Sequence, residues 1–397
     1  MKEEEVKSKQ FHVFYSKLNQ DFFPESPHFH SDLNAADPSS ISELLILRSR
    51  LTDELIHSYE LLKNCEIFEQ KEDLQEIPEE FCEFHSRNYL EIIGKIIDSP
   101  DEIDSFEVET LEKYGLSHDC FPELNLLKFS MNSTRLSIAS AKWLISQRNS
   151  NAYSKINNIA VNFHGGWHHG QKDKASGYCI FNDVVLAIQI LRGKYTKVLY
   201  LDLDLHHCDA VQEAFKYSKN VFCVSIHKFG KGFFPNSGEY SSGNHLNVAI
   251  ENFKLDDKSF ISCVSNILRL NKIVEFKADC LVIQCGLDSL VCDPHQQFLL
   301  TPSIFVQIFS HLKLNEFQNK DILLLGGGGY NVTESAKCWT RIMANILDLK
   351  IAQQIPYHDC LRFYKAPYCL SEDNFDKDDQ EIFKKPNISL QNFIKFK

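Results

Sequence analysis

Residues 200–209 read Tyr-Leu-Asp-Leu-Asp-Leu-His-His-Cys-Asp. In an extended chain alternate side chains share a face. Asp202, Asp204 and His206 then point one way, and Leu201, Leu203 and Leu205 the other. Two carboxylates and an imidazole therefore line up on a strand whose opposite face is apolar. Buried unpaired, such groups are costly; they need a cation or one another. The plain alternative is an edge strand with its polar side in water, but Asp is a poor strand former, which counts against it.

Outward from this stretch, strand and helix alternate. Strands are expected at Phe11–Tyr15, Ile156–Phe163, Lys197–Leu205, Val221–His227, Cys280–Cys285 and Ile322–Leu325. Helical patterns run over about Ser42–Asn64, Leu126–Gln147, Asn182–Leu191, Phe260–Glu275, Pro302–Leu312 and Glu334–Leu347. Near-continuous apolar strands between helices imply an α/β fold with a mostly parallel sheet covered on both faces. Ligands of such sheets bind at the carboxyl ends of strands. The polar motifs fall there: His164–His169, Asp204 to Asp209, Gln284–Asp288 and Gly326–Tyr330.

The chain has 397 residues, enough for more than one domain. No repeat or Gly/Ser/Pro-rich linker divides it, so one domain is expected over 11–397 after a flexible start at 1–10. No apolar run approaches 18 residues, so no membrane span is indicated. The opening Met-Lys-Glu-Glu-Glu has no secretory pattern. Thirteen scattered Cys, several inside apolar strands, suggest reduced thiols in the nucleus or cytosol. A net charge of −12 argues against direct nucleic-acid binding and suits a basic partner such as a Lys-rich peptide.

Asp204, His206 and Asp288 make a three-ligand set with room for a further ligand, as catalytic zinc requires; iron(II) fits the same set. His168 and His169 are candidate general bases, with Asp202 and Asp209 as partners that fix their tautomers. Tyr330, on a Gly-rich turn, is placed to donate to a developing oxyanion. The tetraglycine lacks the Lys-Ser/Thr of a phosphate loop and reads as a turn that lets backbone approach closely. The ensemble suits metal-assisted hydrolysis of an amide or ester.

These motifs, with Ala175–Cys179, Asn182-Asp183, His227–Phe229 and Gly232–Pro235, closely resemble class I zinc-dependent histone deacetylases of the arginase–deacetylase fold, in the compact branch that acts without a large corepressor. The resemblance runs from about Phe11 to about Leu370. It implies hydrolysis of N6-acetyl-lysine in histone tails or a cohesin subunit, in the nucleus, with the cytoplasm left open. It implies zinc on Asp204, His206 and Asp288, His169 with Asp209 as general base and acid, His168 with Asp202 as electrostatic partner, and Tyr330 on the acetyl carbonyl. Tyr178 and Phe234 would wall the acetyl-lysine tunnel, with Gly177 at its floor and Asp119 gripping substrate backbone N–H groups. Arg48 matches a basic residue near the acetate exit. A structural potassium would take oxygens of Asp202, Asp204, His206, Ser225 and Ile226; a second, near Phe215, Ser218 and Val221, is disfavoured because its usual Tyr is absent from Ser241–Leu246.

The chain departs from the family at several points. Cys208 and Ala210 flank Asp209 where glycines are usual, and a side chain there is strained if φ is positive. Leu287 and Cys292 replace small residues, and His295 stands where Leu or Met lines the pocket. Cys208 is a candidate for oxidation if exposed. Two competing readings share the site: an acetylpolyamine amidohydrolase, and an acetyl-lysine-binding scaffold with reduced turnover.

Overall fold

The computed structural model describes residues 11–18, 40–70, 76–150, 157–252, 254–314, 320–370 and 393–396. The expected flexible start at 1–10 lies outside them. In chain order the elements are β1 (Phe11–Leu18), α1 (Ile41–Ser58), β2 (Glu66–Gln70), α2 (Arg87–Asp98), α3 (Val108–Lys113), α4 (Leu124–Ser150), β3 (Asn157–Asn162), α5 (Asp183–Arg192), β4 (Val198–Asp202), α6 (Asp209–Phe215) and β5 (Val221–Lys228). There follow β6 (Tyr240–Ser241), β7 (His245–Ile250), α7 (Asp257–Leu268), α8 (Asn271–Phe276), β8 (Cys280–Gln284), α9 (Pro302–Leu314), β9 (Asp321–Leu325), α10 (Val332–Ile346) and β10 (Lys395–Phe396).

Eight strands form one sheet in the order β2-β1-β3-β9-β8-β4-β5-β7, every pair parallel. Parallel neighbours need long crossovers, and the helices supply them. Successive strand residues alternate between two apolar layers. Leu199, Leu201, Leu281, Ile283, Ile322 and Leu324 pack with α7, α9 and α10 on one face. Val198, Tyr200, Cys280, Val282 and Leu323 pack with α4, α5 and α6 on the other. Side-chain caps set the helix starts: Asn182 accepts from Val185 N (2.9 Å) and Asp256 from Ser259 N (2.8 Å).

Three expectations need correction. β4 stops at Asp202 rather than Leu205, because Asp202 Oδ1 accepts from Asp204 N and Asp204 Oδ1 from His206 N, both at 3.0 Å. Side chains thus serve Asp204 N and His206 N, while Leu203 N still donates to the Gln284 carbonyl (3.0 Å) and the Leu205 carbonyl accepts from Lys228 N (2.8 Å). The alternation survives: Leu203 and Leu205 stay in the apolar layer. The helix expected over Phe260–Glu275 is two, α7 and α8. Two further strands join the sheet at its edges, β2 and β7. Glu66–Gln70 alternates too weakly to be read as a strand, with charged residues at two of its five positions.

Candidate active site

Four adjacent central strands, β3, β9, β8 and β4, release their chains at one edge of the sheet, and the polar motifs follow directly. Asp204, His206 and Asp288 are buried, and their ligand atoms lie within 4.8 Å of one another. His206 Nδ1 sits 2.9 Å from Asp288 Oδ2 and 3.2 Å from Asp204 Oδ1. Both carboxylates are held from behind. Asp204 Oδ2 accepts from Gln284 Nε2 (2.8 Å) and Gly328 N (3.1 Å), and Asp288 Oδ1 from Leu205 N (2.9 Å). A Cβ on Gly328 would lie 2.5 Å from Asp288 Oδ2, so only glycine lets this turn close over the carboxylates. Burial and the neighbouring Asp204 push the Asp288 carboxyl up to about 6. Burial would lower the His206 imidazole, but the two carboxylates outweigh it and hold it at about 10. The cluster draws positive charge inward, and its oxygen-rich donor set of two carboxylates and one imidazole fits a divalent cation.

His168 and His169 stand beside this cluster, each tied at Nδ1 to a carboxylate: His168 to Asp202 Oδ2 (2.6 Å) and His169 to Asp209 Oδ1 (2.7 Å). Their ring centroids are 4.0 Å apart. Tyr200 OH also donates to Asp202 Oδ2, and Gln171 Nε2 to Asp209 Oδ2 (2.9 Å). The two imidazoles are driven in opposite directions. Burial would lower His168, but Asp202 and Asp204 outweigh it and raise it to about 9. Burial, then repulsion from His168, lowers His169 to about 4. One ring is thus charged and the other neutral at neutral pH, with Nε2 of His169 left as a lone-pair acceptor.

Across the cluster, Tyr330 leaves the glycine turn. Its N–H donates to Asp293 Oδ2 (2.7 Å), and Arg48 Nη1 donates to the Gly329 carbonyl (2.8 Å). Burial, then the Asp288 and Asp204 charges, raises the Tyr330 phenol well above its ordinary value, so it keeps its proton and can donate. Arg48 is fully buried between Trp167 and Trp339 (4.9 Å to the latter ring), and burial lowers it to about 10. Aromatic rings line the approach: Phe233 stacks on His206 (5.3 Å), Phe234 meets His169 edge-on (4.8 Å), and Tyr178 meets Tyr330 (5.8 Å). Gly177, at φ +55°, lies between; a Cβ there would sit 2.8 Å from the His169 ring and 2.9 Å from Phe234. Asp119 Oδ2 accepts from Gly177 N (2.9 Å). His295 packs against His206 and Tyr330 (5.1 Å each), its Nδ1 on Asp293 Oδ1 (2.8 Å).

A histone deacetylase domain model matches residues 47–346. Histone deacetylase 8 of Xenopus tropicalis is 33% identical over 330 residues, covering 81% of this chain and 84% of that one. Histone deacetylase 8 of Xenopus laevis is 35% identical over 299 residues (74% and 87%), and that of Danio rerio 33% over 333 residues (81% and 82%). The chain belongs to the histone deacetylase family. It is a class I deacetylase of the compact single-domain type, a hydrolase acting on acetyl-lysine.

The positions read from the sequence as departures are now placed. Cys208 has φ −75°, and neither it nor Ala210 occupies the left-handed region, so the anticipated strain is absent. Cys208 is 1% exposed and packs in the apolar layer behind β4; burial, then Asp202, pushes its thiol well up. The exposure on which its oxidation depended is absent, so this thiol is not a candidate for oxidation. Leu287 is fully buried in the core, while Cys292 is exposed and its carbonyl accepts from Asn331 Nδ2 (3.0 Å). The β4–β5 register sets Asp202 opposite Ser225, with Ile226 next. At the second potassium position the Ser218 carbonyl already accepts from Asn244 Nδ2 (3.2 Å). Sequence reasoning missed Asp293, and it quoted Gln284 and Phe233 within motifs without giving either a role. Gln284 ends β8, inside the expected strand Cys280–Cys285, and its polar side chain after Leu, Val and Ile was the available signal.

Proposed function

We propose that the protein is a zinc-dependent lysine deacetylase acting on Lys-rich protein segments in the nucleus, histone tails first and an acetylated cohesin subunit second. The observation that carries this is the buried Asp204–His206–Asp288 cluster beside two His–Asp pairs whose imidazoles are driven apart. Residues 11–397 act as one catalytic unit. A zinc ion held by those three side chains would polarise the acetyl carbonyl and acidify a water; iron(II) suits the same donors. A potassium ion would be held by oxygens of Asp202, Asp204, His206, Ser225 and Ile226.

The chain's own residues do the remaining work. His169 Nε2 takes the proton of the attacking water and returns it to the departing lysine nitrogen, with Asp209 holding the ring. His168, charged against Asp202, supplies fixed positive potential. Tyr330 OH donates to the oxygen that becomes negative as the carbonyl turns tetrahedral. Tyr178, Phe234 and Gly177 enclose the lysine stem, and Asp119 grips backbone N–H groups at the rim. His295 adds a polar face to the tunnel wall.

Acetate release from histone and cohesin acetyl-peptides, by the metal-loaded wild type and by His169→Ala, tests this. Release by the wild type and its loss in the variant are expected. No release from any acetyl-lysine peptide would overturn the reading, and turnover confined to free acetylpolyamines would replace it.

A further inference from the structure

One stretch of this sequence is strongly acidic. Residues 76–123 carry fourteen Asp and Glu against three Lys and Arg, a net −11 of the chain's −12. Within that segment a groove of about 230 Å³ runs between Glu76–Cys82 and one face of α2. Its floor is apolar, from Ile77, Pro78, Leu90 and Ile97, and its rim carries Glu91 and Asp98, both exposed. Gly94 opens it further, because a Cβ there would meet nothing within 4 Å. Arg87 also lines the groove, but it is already paired with Glu79 (2.8 Å).

This segment is bolted to the tunnel rim. Ser86 N donates to the Lys172 carbonyl (3.0 Å), Tyr89 OH to the Ile180 carbonyl (2.8 Å) and Ala175 N to the Tyr114 carbonyl (2.9 Å). Residues 172–180 include Gly177 and Tyr178, and Asp119, at the end of the acidic segment, bonds Gly177 directly. Groove and tunnel mouth are therefore parts of one body.

We propose that this groove is an exosite for a Lys/Arg-rich flank of the acetylated substrate, with one apolar side chain of that flank seated on α2 over Gly94. The inference rests on the lysine-deacetylase reading. The carboxylate rim selects basic chains and speeds their capture, and the apolar floor sets register. A cavity of this size holds one or two side chains, not a folded partner.

The test uses two substrates on the full chain: a short acetyl-lysine amide with uncharged flanks, and an acetyl-lysine peptide flanked by Lys, Arg and one Leu. The wild type should favour the basic peptide in kcat/KM at low salt by about tenfold and lose that preference at 0.5–1 M salt, roughly where screening falls within a contact distance. Glu91→Lys/Asp98→Lys should abolish the preference while leaving the uncharged substrate unchanged. Gly94→Phe, whose Cβ would meet nothing within 4 Å and whose ring would take up groove space, should do the same at constant charge. Equal kcat/KM for both substrates in the wild type, or a preference that survives both variants, would overturn the exosite. Failure to release acetate from either substrate would instead overturn the deacetylase reading.

Discussion

Asp293→Ala probes a residue that no motif singled out. Asp293 is 1% exposed, and its carboxylate accepts three hydrogen bonds: Tyr330 N (2.7 Å), His295 N (3.0 Å) and His295 Nδ1 (2.8 Å). It thus ties the loop after β8 to the glycine turn after β9, and it fixes where Tyr330 leaves the backbone. Removing it strips two backbone donors of their acceptor, at about 1–3 kcal/mol for each donor left buried. Water reaches the half-buried Tyr330 segment, so a total near 2–4 kcal/mol is expected. The effect on rate is separate. A phenol displaced by an ångström loses much of an oxyanion donor's contribution, so kcat should fall about 10–100-fold with KM little changed. Urea unfolding measures the first quantity and steady-state acetate release the second. Asp293→Asn keeps one acceptor and should recover part of each. A variant that loses stability but retains wild-type kcat would refute the positioning role, because Tyr330 would then be held without Asp293.

Tyr330→Phe should lower kcat about 100–1,000-fold while acetyl-peptide affinity, read by calorimetry, stays put; equal losses in both would mean that the ring packs rather than donates. His85 is buried, its Nε2 accepts from Asn182 N (3.0 Å), and burial lowers it from 6.5 to about 4. The neutral ring is thus favoured on folding, so its contribution is present above pH 6.5 and is lost as the pH falls toward 4, by about 3 kcal/mol. Urea midpoints of wild type and His85→Gln should converge across that window, and parallel curves would exclude His85 as the source. Cys208→Gly should cost about 0.5–1 kcal/mol with activity unchanged, since no backbone strain is relieved and a packed side chain is lost. A stabilised or faster variant would contradict that.

Much of this arrangement was legible before folding. The Asp-Leu-Asp-Leu alternation signalled a strand with one polar face, and strand–helix alternation implied the parallel sheet, because both are written in local periodicity. The gathering of four strand ends followed from the rule for such sheets. Strand order was not legible, since β9 lies between β3 and β8 through long-range packing that no local pattern encodes. The edge strands escaped for the same reason: β2 is set by its neighbour β1 rather than by its own apolar content. Asp293 escaped because an aspartate before a proline in a loop looks like an ordinary turn residue until its partners are seen. The doubt over Cys208 and Ala210 could be resolved only by φ, a quantity the sequence does not carry.

The central claim is that one cation on Asp204, His206 and Asp288 makes the site work. Metal-stripped protein titrated with zinc, with bound metal and acetate release followed together on one acetyl-lysine peptide, tests it most directly. The account predicts that activity rises in proportion to the first equivalent bound, and that Asp288→Ala loses both that equivalent and the activity. Acetate release that persists in fully stripped protein, or in Asp288→Ala with no metal bound, would contradict it.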